Sequence, residues 1–135
     1  MKQQIRYVVI TPARDEEQHI EKTILSMAVQ TILPDEWIIV NDGSTDDTGA
    51  IIDRYAQQHS WIKALHRENR GFRKSGGGVV EAFNEGYGAL ASDKWEFVVK
   101  LDGDLSFAPD YFELVFRYFA VDPLLGIGGG DICYL

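Results

Sequence analysis

The sequence has a single cysteine, Cys133, so it carries neither a disulfide framework nor a cysteine-based zinc site. One cysteine fits a chain that faces the reducing cytoplasm. No apolar run approaches the ~20 residues that span a bilayer. The opening Met1–Ile10 holds Lys2 and Arg6, without the apolar core or cleavage site of a secretory signal. Positive charge is scarce as well. Lys+Arg number 13 against 21 Asp+Glu, a net charge of −8. Such a chain is a poor general nucleic-acid binder, because the phosphate backbone repels it. It also lacks the basic amphipathic face that an anionic membrane attracts.

Familiar nucleotide and nucleophile signatures are missing too. No Gly-x-Gly-x-x-Gly follows the first apolar run, where a dinucleotide fold carries it. The cluster Gly76–Gly78 is not followed by Lys-Ser/Thr, so it is not a Walker loop. Ser44 and Ser75 lack a nucleophile elbow. His19, His59 and His66 lack metal-ligand spacing and read as surface or edge residues.

What is present is an alternation of strand and helix patterns. At 135 residues, 45% hydrophobic and 25% charged, the chain reads as one folded domain. Strands are expected at 5–11, 36–40, 61–65, 95–101 and, glycine-rich, at 125–135. Helices are expected at 15–30, 47–59, 79–90 and 109–121. Asp15, Glu16 and Glu17 crowd the first turn of the first helix, where the dipole favours negative charge. The second strand, Trp37–Val40, is continuously apolar, which suits burial on both faces of a parallel sheet. The expectation is therefore an α/β fold, a Rossmann-like and mostly parallel sheet with helices on both faces.

In such a sheet, ligands bind at the carboxyl ends of the strands. Four polar segments fall there: Thr11–Glu16, Asn41–Asp46, Arg67–Lys74 and Asp102–Asp104. Asp102 and Asp104 lie two apart on an extended segment and so point the same way. Two convergent carboxylates repel unless a cation lies between them, and hard oxygen donors suit Mg²⁺ or Mn²⁺. A plain solvated turn is the competing reading. Asp42 follows a buried strand and can accept hydrogen bonds from a base or ribose, while Ser44–Asp47 read as helix-cap chemistry. Arg70, Arg73 and Lys74, among the glycines of 67–78, suit a diphosphate or a solvated hinge. The aromatics of 107–119 cover more than one helix face and read first as core.

Four motifs in order resemble the family 2 glycosyltransferases of GT-A fold. Thr11–Glu17 is similar to the family's opening Pro-x-x-Asn-Glu, with Asp15 where asparagine is usual. Val40–Asp46 resembles its second motif almost letter for letter. Asn69–Gly71 with Glu81–Gly86 is similar to its Asn-x-Gly and Ala-x-Asn-x-Gly segment. Leu101–Ser106 with Pro109 resembles its Asp-x-Asp metal motif, in the form of dolichol-phosphate-mannose-synthase-like members.

The resemblance implies a UDP- or GDP-linked sugar donor, a divalent Mg²⁺ or Mn²⁺, and inverting transfer to an acceptor hydroxyl. Thr11, Pro12, Ala13, Arg14 and Glu16 then line the nucleoside pocket, and Asp42 contacts base or ribose. Arg70 or Lys74 steadies the diphosphate. Asp102 and Gly103 contact the donor, and Asp102 with Asp104 holds the metal. The family's catalytic base lies in the second half of its domain, and no residue here matches it. The chain is therefore expected to be the donor-binding half, with base and acceptor site beyond Leu135. Membrane contact is expected only through such further sequence, at the cytoplasmic face. A lipid-linked acceptor, cell-envelope polysaccharide as product and the oligomeric state all stay open. A noncatalytic nucleotide-sugar-binding module is the alternative. A nucleotidyltransferase fits less well, because it needs a glycine-rich loop after the first strand and Thr11–Arg14 has no glycine.

Overall fold

The computed structural model describes residues 5–68 and 77–129. Its elements alternate: β1 (Tyr7–Ala13), α1 (Ile20–Ala28), β2 (Glu36–Asp42), α2 (Thr48–Gln58), β3 (Ile62–Arg67), α3 (Gly77–Gly88), β4 (Phe97–Lys100) and α4 (Tyr111–Val121). The strands form one parallel sheet in the order β3-β2-β1-β4. The chain steps outward from β1 to β3 and then returns to β1's other side. That reversal puts a crevice at the carboxyl ends of β1 and β4, the place where open α/β sheets bind ligands.

β2 is buried along its whole length, as its apolar run requires. One face of the sheet carries α1, α2 and α4, packed on Tyr7, Val9, Trp37 and Ile39. The other face carries α3, packed on Ile10, Ile38 and Val40 through Ala82. α3 comes so close that a Cβ on Gly86 would stand 2.8 Å from both Ile10 Cγ2 and Val40 Cγ2. A side chain at that position would push the helix off the sheet. No described helix is long and apolar enough to cross a membrane.

Several boundaries differ from the sequence reading. β1 runs on through Pro12 to Ala13. Ile10 faces β4 through its carbonyl, which accepts from Leu101 N–H at 3.1 Å. Pro12 therefore also faces that side, but β4 pairs with β1 only as far as Lys100, so no ladder bond needs the missing N–H. α1 starts at Ile20, not at Asp15. Asp15 has φ 52°, a left-handed conformation that cannot begin a helix, and Asp15–Glu17 form the loop ahead of it. Pro109 lies two residues before α4, not in its first turn. Residues 125–129 are not strand, and the remainder of the expected fifth strand lies outside the described residues.

The segment after β4 is bolted by a polar stripe to α1 and to Gln30 just past its end. Thr23 Oγ1 donates to the Leu105 carbonyl at 2.6 Å, and Ser26 Oγ accepts from Phe107 N–H at 3.4 Å. Gln30 donates to the Ala108 carbonyl at 2.6 Å and accepts from Phe112 N–H at 3.2 Å. Thr23 and Gln30 are both buried, so these bonds satisfy groups that would otherwise be costly inside the protein. They fix the path of the chain just past Asp104.

Candidate functional site at the carboxyl edge of the sheet

Three of the four polar segments meet at this edge, and the fourth meets it in part. The loops after β1 and β2 are stitched together. Asp15 N–H donates to Ser44 Oγ at 3.0 Å, and Glu16 N–H donates to Thr48 Oγ1 at 2.8 Å. In return, Thr45 N–H donates to Asp15 Oδ1 at 2.8 Å, and Asp47 N–H to Glu17 Oε2 at 3.1 Å. The left-handed φ of Asp15 turns its N–H and carboxylate toward the second loop, where both are bonded. The usual asparagine of the resembling motif adopts left-handed φ readily, and aspartate does so for the same reason.

The expected cap of α2 comes from one residue only. Asp47 makes no side-chain cap bond, while Asp46 Oδ1 accepts from Thr48 N–H at 3.0 Å. Burial pushes the Asp46 carboxyl up, but the Thr48 hydroxyl and the backbone N–H groups of Thr48 and Glu17 pull it further down, below its ordinary value.

Asp42 ends β2 and is almost fully buried. Its Oδ1 accepts from Arg67 Nη1 at 2.8 Å, and its carbonyl accepts from Arg14 Nη1 at 3.4 Å. Arg67 ends β3 and also reaches α3, with Nε 2.6 Å from Glu85 Oε2 and Nη2 3.6 Å from Glu81 Oε2. One guanidinium thus joins the ends of two strands to the helix that follows the glycine-rich loop. Its planar fork suits several carboxylates at once. Sequence reading counted Arg67 among the loop's cations and missed this hub. The Glu81–Glu85 spacing of four on one helix face was the available signal.

The Asp102–Gly103–Asp104 turn lies beside the end of β1. Asp102 and Asp104 are exposed, and Gly103 between them is buried. A Cβ on Gly103 would stand 3.1 Å from Ile20 Cδ1 and 3.5 Å from Ala13 Cβ. Glycine thus lets this turn press against β1 and α1 while both carboxylates face outward. Asp102 Oδ1 accepts from Lys100 Nζ at 2.7 Å, a pairing not expected from sequence. Among the described residues, no three His, Cys, Asp or Glu side chains gather to hold a metal. What the edge offers is a pair of carboxylates. That donor set fits Mg²⁺ or Mn²⁺, which take one or two carboxylates and complete their shell with water and phosphate oxygens.

The other expected residues divide. Pro12 and Arg14 are half-buried at the crevice, and Glu16 is half-buried in the stitched loop. Thr11 is fully buried, and its hydroxyl accepts from Trp37 Nε1 at 2.8 Å. The structure therefore turns its side chain into the core and away from the crevice, because a parallel strand alternates its faces. Ala13 is buried beside Gly103. Arg70, Arg73 and Lys74 lie outside the described residues.

With this geometry established, comparison with known proteins identifies the lineage. The chain belongs to glycosyl transferase family 2, whose sequence model matches residues 8–130. It is 31% identical over 131 residues to the uncharacterized glycosyltransferase MG025 homolog of Mycoplasma pneumoniae, covering 96% of this chain and 40% of that protein. Among solved structures, it is similar to the mannosyltransferase PcManGT of Pyrobaculum calidifontis in complex with GDP-Man and Mn²⁺. There the TM-score is 0.72 and the identity 26%, over 92% of this chain and 34% of that one. S. aureus TarS 1–349 in complex with UDP-GlcNAc shares the fold, with TM-score 0.65 and 20% identity, over 96% of this chain and 37% of that one. The chain thus spans 40% or less of the length of each of these proteins.

Proposed function

We propose that the chain is the donor-binding half of a metal-dependent, inverting glycosyltransferase. The observation that carries this reading is the packing of Gly103 against the end of β1, which leaves Asp102 and Asp104 exposed at the same carboxyl edge of the sheet that holds Asp42. Support also comes from the family membership and from the GDP-Man and Mn²⁺ in PcManGT. The donor class is a UDP- or GDP-linked sugar.

Each residue has a part in the proposal. Asp42, oriented by Arg67, accepts hydrogen bonds from the base or ribose. Pro12, Arg14 and Glu16 form the wall beside it, and Thr11 and Ala13 supply backbone. Arg70 or Lys74 would steady the diphosphate. Asp102 and Asp104 would hold a divalent cation beside the diphosphate, and Gly103 sets how near they come to β1. When bound, the cation neutralises charge that develops on the leaving nucleoside diphosphate. An acceptor hydroxyl, deprotonated by a carboxylate base, displaces that group from the opposite face of the sugar and inverts it. No residue of this chain is assigned as the base.

Calorimetric titration with UDP, GDP and their sugar conjugates tests the reading, each in Mn²⁺ and in EDTA. Binding of one nucleotide class that weakens sharply in EDTA supports it. A folded chain that binds none of them in either condition overturns it.

A further inference from the structure

The carboxyl ends of β2 and β3 pair residue for residue: Asn41 lies beside His66, and Asp42 beside Arg67. Alternation along the strands sends the two pairs to opposite faces of the sheet. The Asp42–Arg67 pair faces α3, where Glu81 and Glu85 meet it. The Asn41–His66 pair faces α2. There Asn41 Nδ2 lies 3.0 Å from His66 Nδ1, and His66 Nε2 lies 2.8 Å from Asp53 Oδ1.

The protonation pattern of this second pair follows from one backbone group. Ser44 N–H lies 3.1 Å from Asn41 Oδ1 and can only donate. It therefore fixes the amide with its oxygen toward Ser44 and its NH₂ toward His66. An NH₂ can only donate, so His66 Nδ1 must present a lone pair. Nε2 then carries the ring proton and donates it to Asp53. The four groups form one directed chain: Ser44 to Asn41 to His66 to Asp53. Asn41 is almost fully buried and has no room to rearrange. A Cβ on Gly49, in the first turn of α2, would stand 2.7 Å from its Nδ2.

Accepting the assignment of Asp42 to the nucleoside, we propose that His66 is a positioning residue for donor recognition. As the Nε2–H tautomer it latches the end of β2 to α2, and a proton on Nδ1 would break the Asn41 arm of that latch while Nε2 still donates to Asp53. A proton on Nδ1 would set N–H against N–H at Asn41. Flipping the amide would relieve that clash but would set NH₂ against the Ser44 N–H. One bond of the chain is lost either way, next to Asp42 and at the head of the loop stitched to β1. Among the described residues, Asp53 is the charged group that touches the ring. Of the other charges on the elements around it, Asp42 and Arg67 pair with each other on the far face, and Arg54 of α2 pairs with Glu21.

The test measures affinity for UDP-GlcNAc and GDP-mannose in Mn²⁺ at about pH 8 and about pH 5.5, bracketing the interval where imidazoles change charge. These diphosphate diesters do not titrate there themselves. Losing one hydrogen bond of the chain predicts that the wild type weakens about five-fold on acidification. His66→Ala is expected to be about five-fold weaker at both pH values. His66→Asn presents a carbonyl to Asn41 and gains no proton, so it is expected to bind within about two-fold of wild type at the higher pH and not to weaken at the lower. A pH-independent wild type, or a His66→Asn variant that weakens as the wild type does, overturns the proposal. Asp42→Ala separates the two assignments. If it binds as tightly as wild type, or if wild type does not bind, the donor-site reading itself fails. Long-range ¹H–¹⁵N NMR of the free chain checks the latch without ligand: a bare Nδ1 and a protonated Nε2 at about pH 8 support it, and the reverse tautomer contradicts it.

Discussion

The two edges of the sheet carry carboxylates of opposite character. At the amino edge, Glu36 begins β2 with a side chain only 3% exposed. It is closed on all sides: Lys63 Nζ lies at 2.6 Å, and the N–H groups of Ala91 and Ser92 donate to it at 2.9 Å each. Nearby, Asp35 takes Arg6 at 2.7 Å, and Tyr7, buried so that its phenol resists ionisation, donates to the Ile32 carbonyl. At the carboxyl edge, Asp102 is 59% exposed and Asp104 is exposed beside it, with one lysine within reach of Asp102. Charge at the first edge is spent on holding the chain together. At the second edge Asp42 is likewise buried and paired with Arg67, but Asp102 and Asp104 are left facing solvent, which a fold tolerates where a ligand brings the compensation. The same residue type is thus closed into the structure at one end of the strands and, at Asp102 and Asp104, exposed at the other.

Breaking the amino edge should have the largest effect on stability. Glu36→Ala leaves two N–H groups and the Lys63 ammonium without their acceptor, and is expected to cost about 3 kcal/mol in urea unfolding. Acid should act on the same group. Burial pushes the Glu36 carboxyl up, but Lys63 and the two N–H groups pull it further down, so its folded value lies below the ordinary 4.5. A depressed folded value means that the stabilisation is present above the unfolded value and is lost as pH falls through the folded one. Wild type should therefore lose stability below about pH 4.5 more steeply than Glu36→Gln does. Equal acid limbs would show that the Glu36 carboxylate does not hold this edge together.

Breaking the carboxyl edge should reverse the pattern. Asp104→Ala is expected to lower Mn²⁺-dependent donor affinity about 100-fold while unfolding stability stays within about 0.5 kcal/mol of wild type. Unchanged affinity would remove the metal assignment. Asp42→Ala should weaken the nucleotide about ten-fold, in EDTA as well as in Mn²⁺, since a charged hydrogen-bond partner is lost without touching the cation. A loss confined to Mn²⁺ would move Asp42 from the nucleoside to the metal side of the site. The smallest effect is expected from Gly103→Ala. Its methyl would crowd Ile20 Cδ1 at 3.1 Å and tilt the turn by a few tenths of an ångström, weakening metal-dependent binding about three-fold.

The carboxyl-edge half of this contrast is legible in the sequence; the closure around Glu36 is not. Apolar runs and helical spacing gave every described element, and the parallel-sheet rule put Asp42 and Asp102–Asp104 at one edge before any geometry was known. What stayed hidden depends on contacts between residues far apart in the chain. Asp15–Glu17 read as the start of α1, yet Ser44, Asp46 and Thr48 hold them as a loop from about 30 residues away. Thr11 read as a pocket residue, but β1 continues past it and its register turns the hydroxyl to Trp37. His66 read as an edge histidine because nothing local marks it. Its partner Asn41 is assigned only by the β2–β3 register.

Paramagnetic mapping tests the central claim most directly. Mn²⁺ added to the ¹⁵N-labelled chain with its nucleotide sugar broadens the amides nearest the ion. The account predicts broadening centred on residues 102–104 and spreading first to 13–15 at the end of β1, with the Glu36 edge untouched. Broadening centred elsewhere, or spread evenly over the acidic surface, would contradict it.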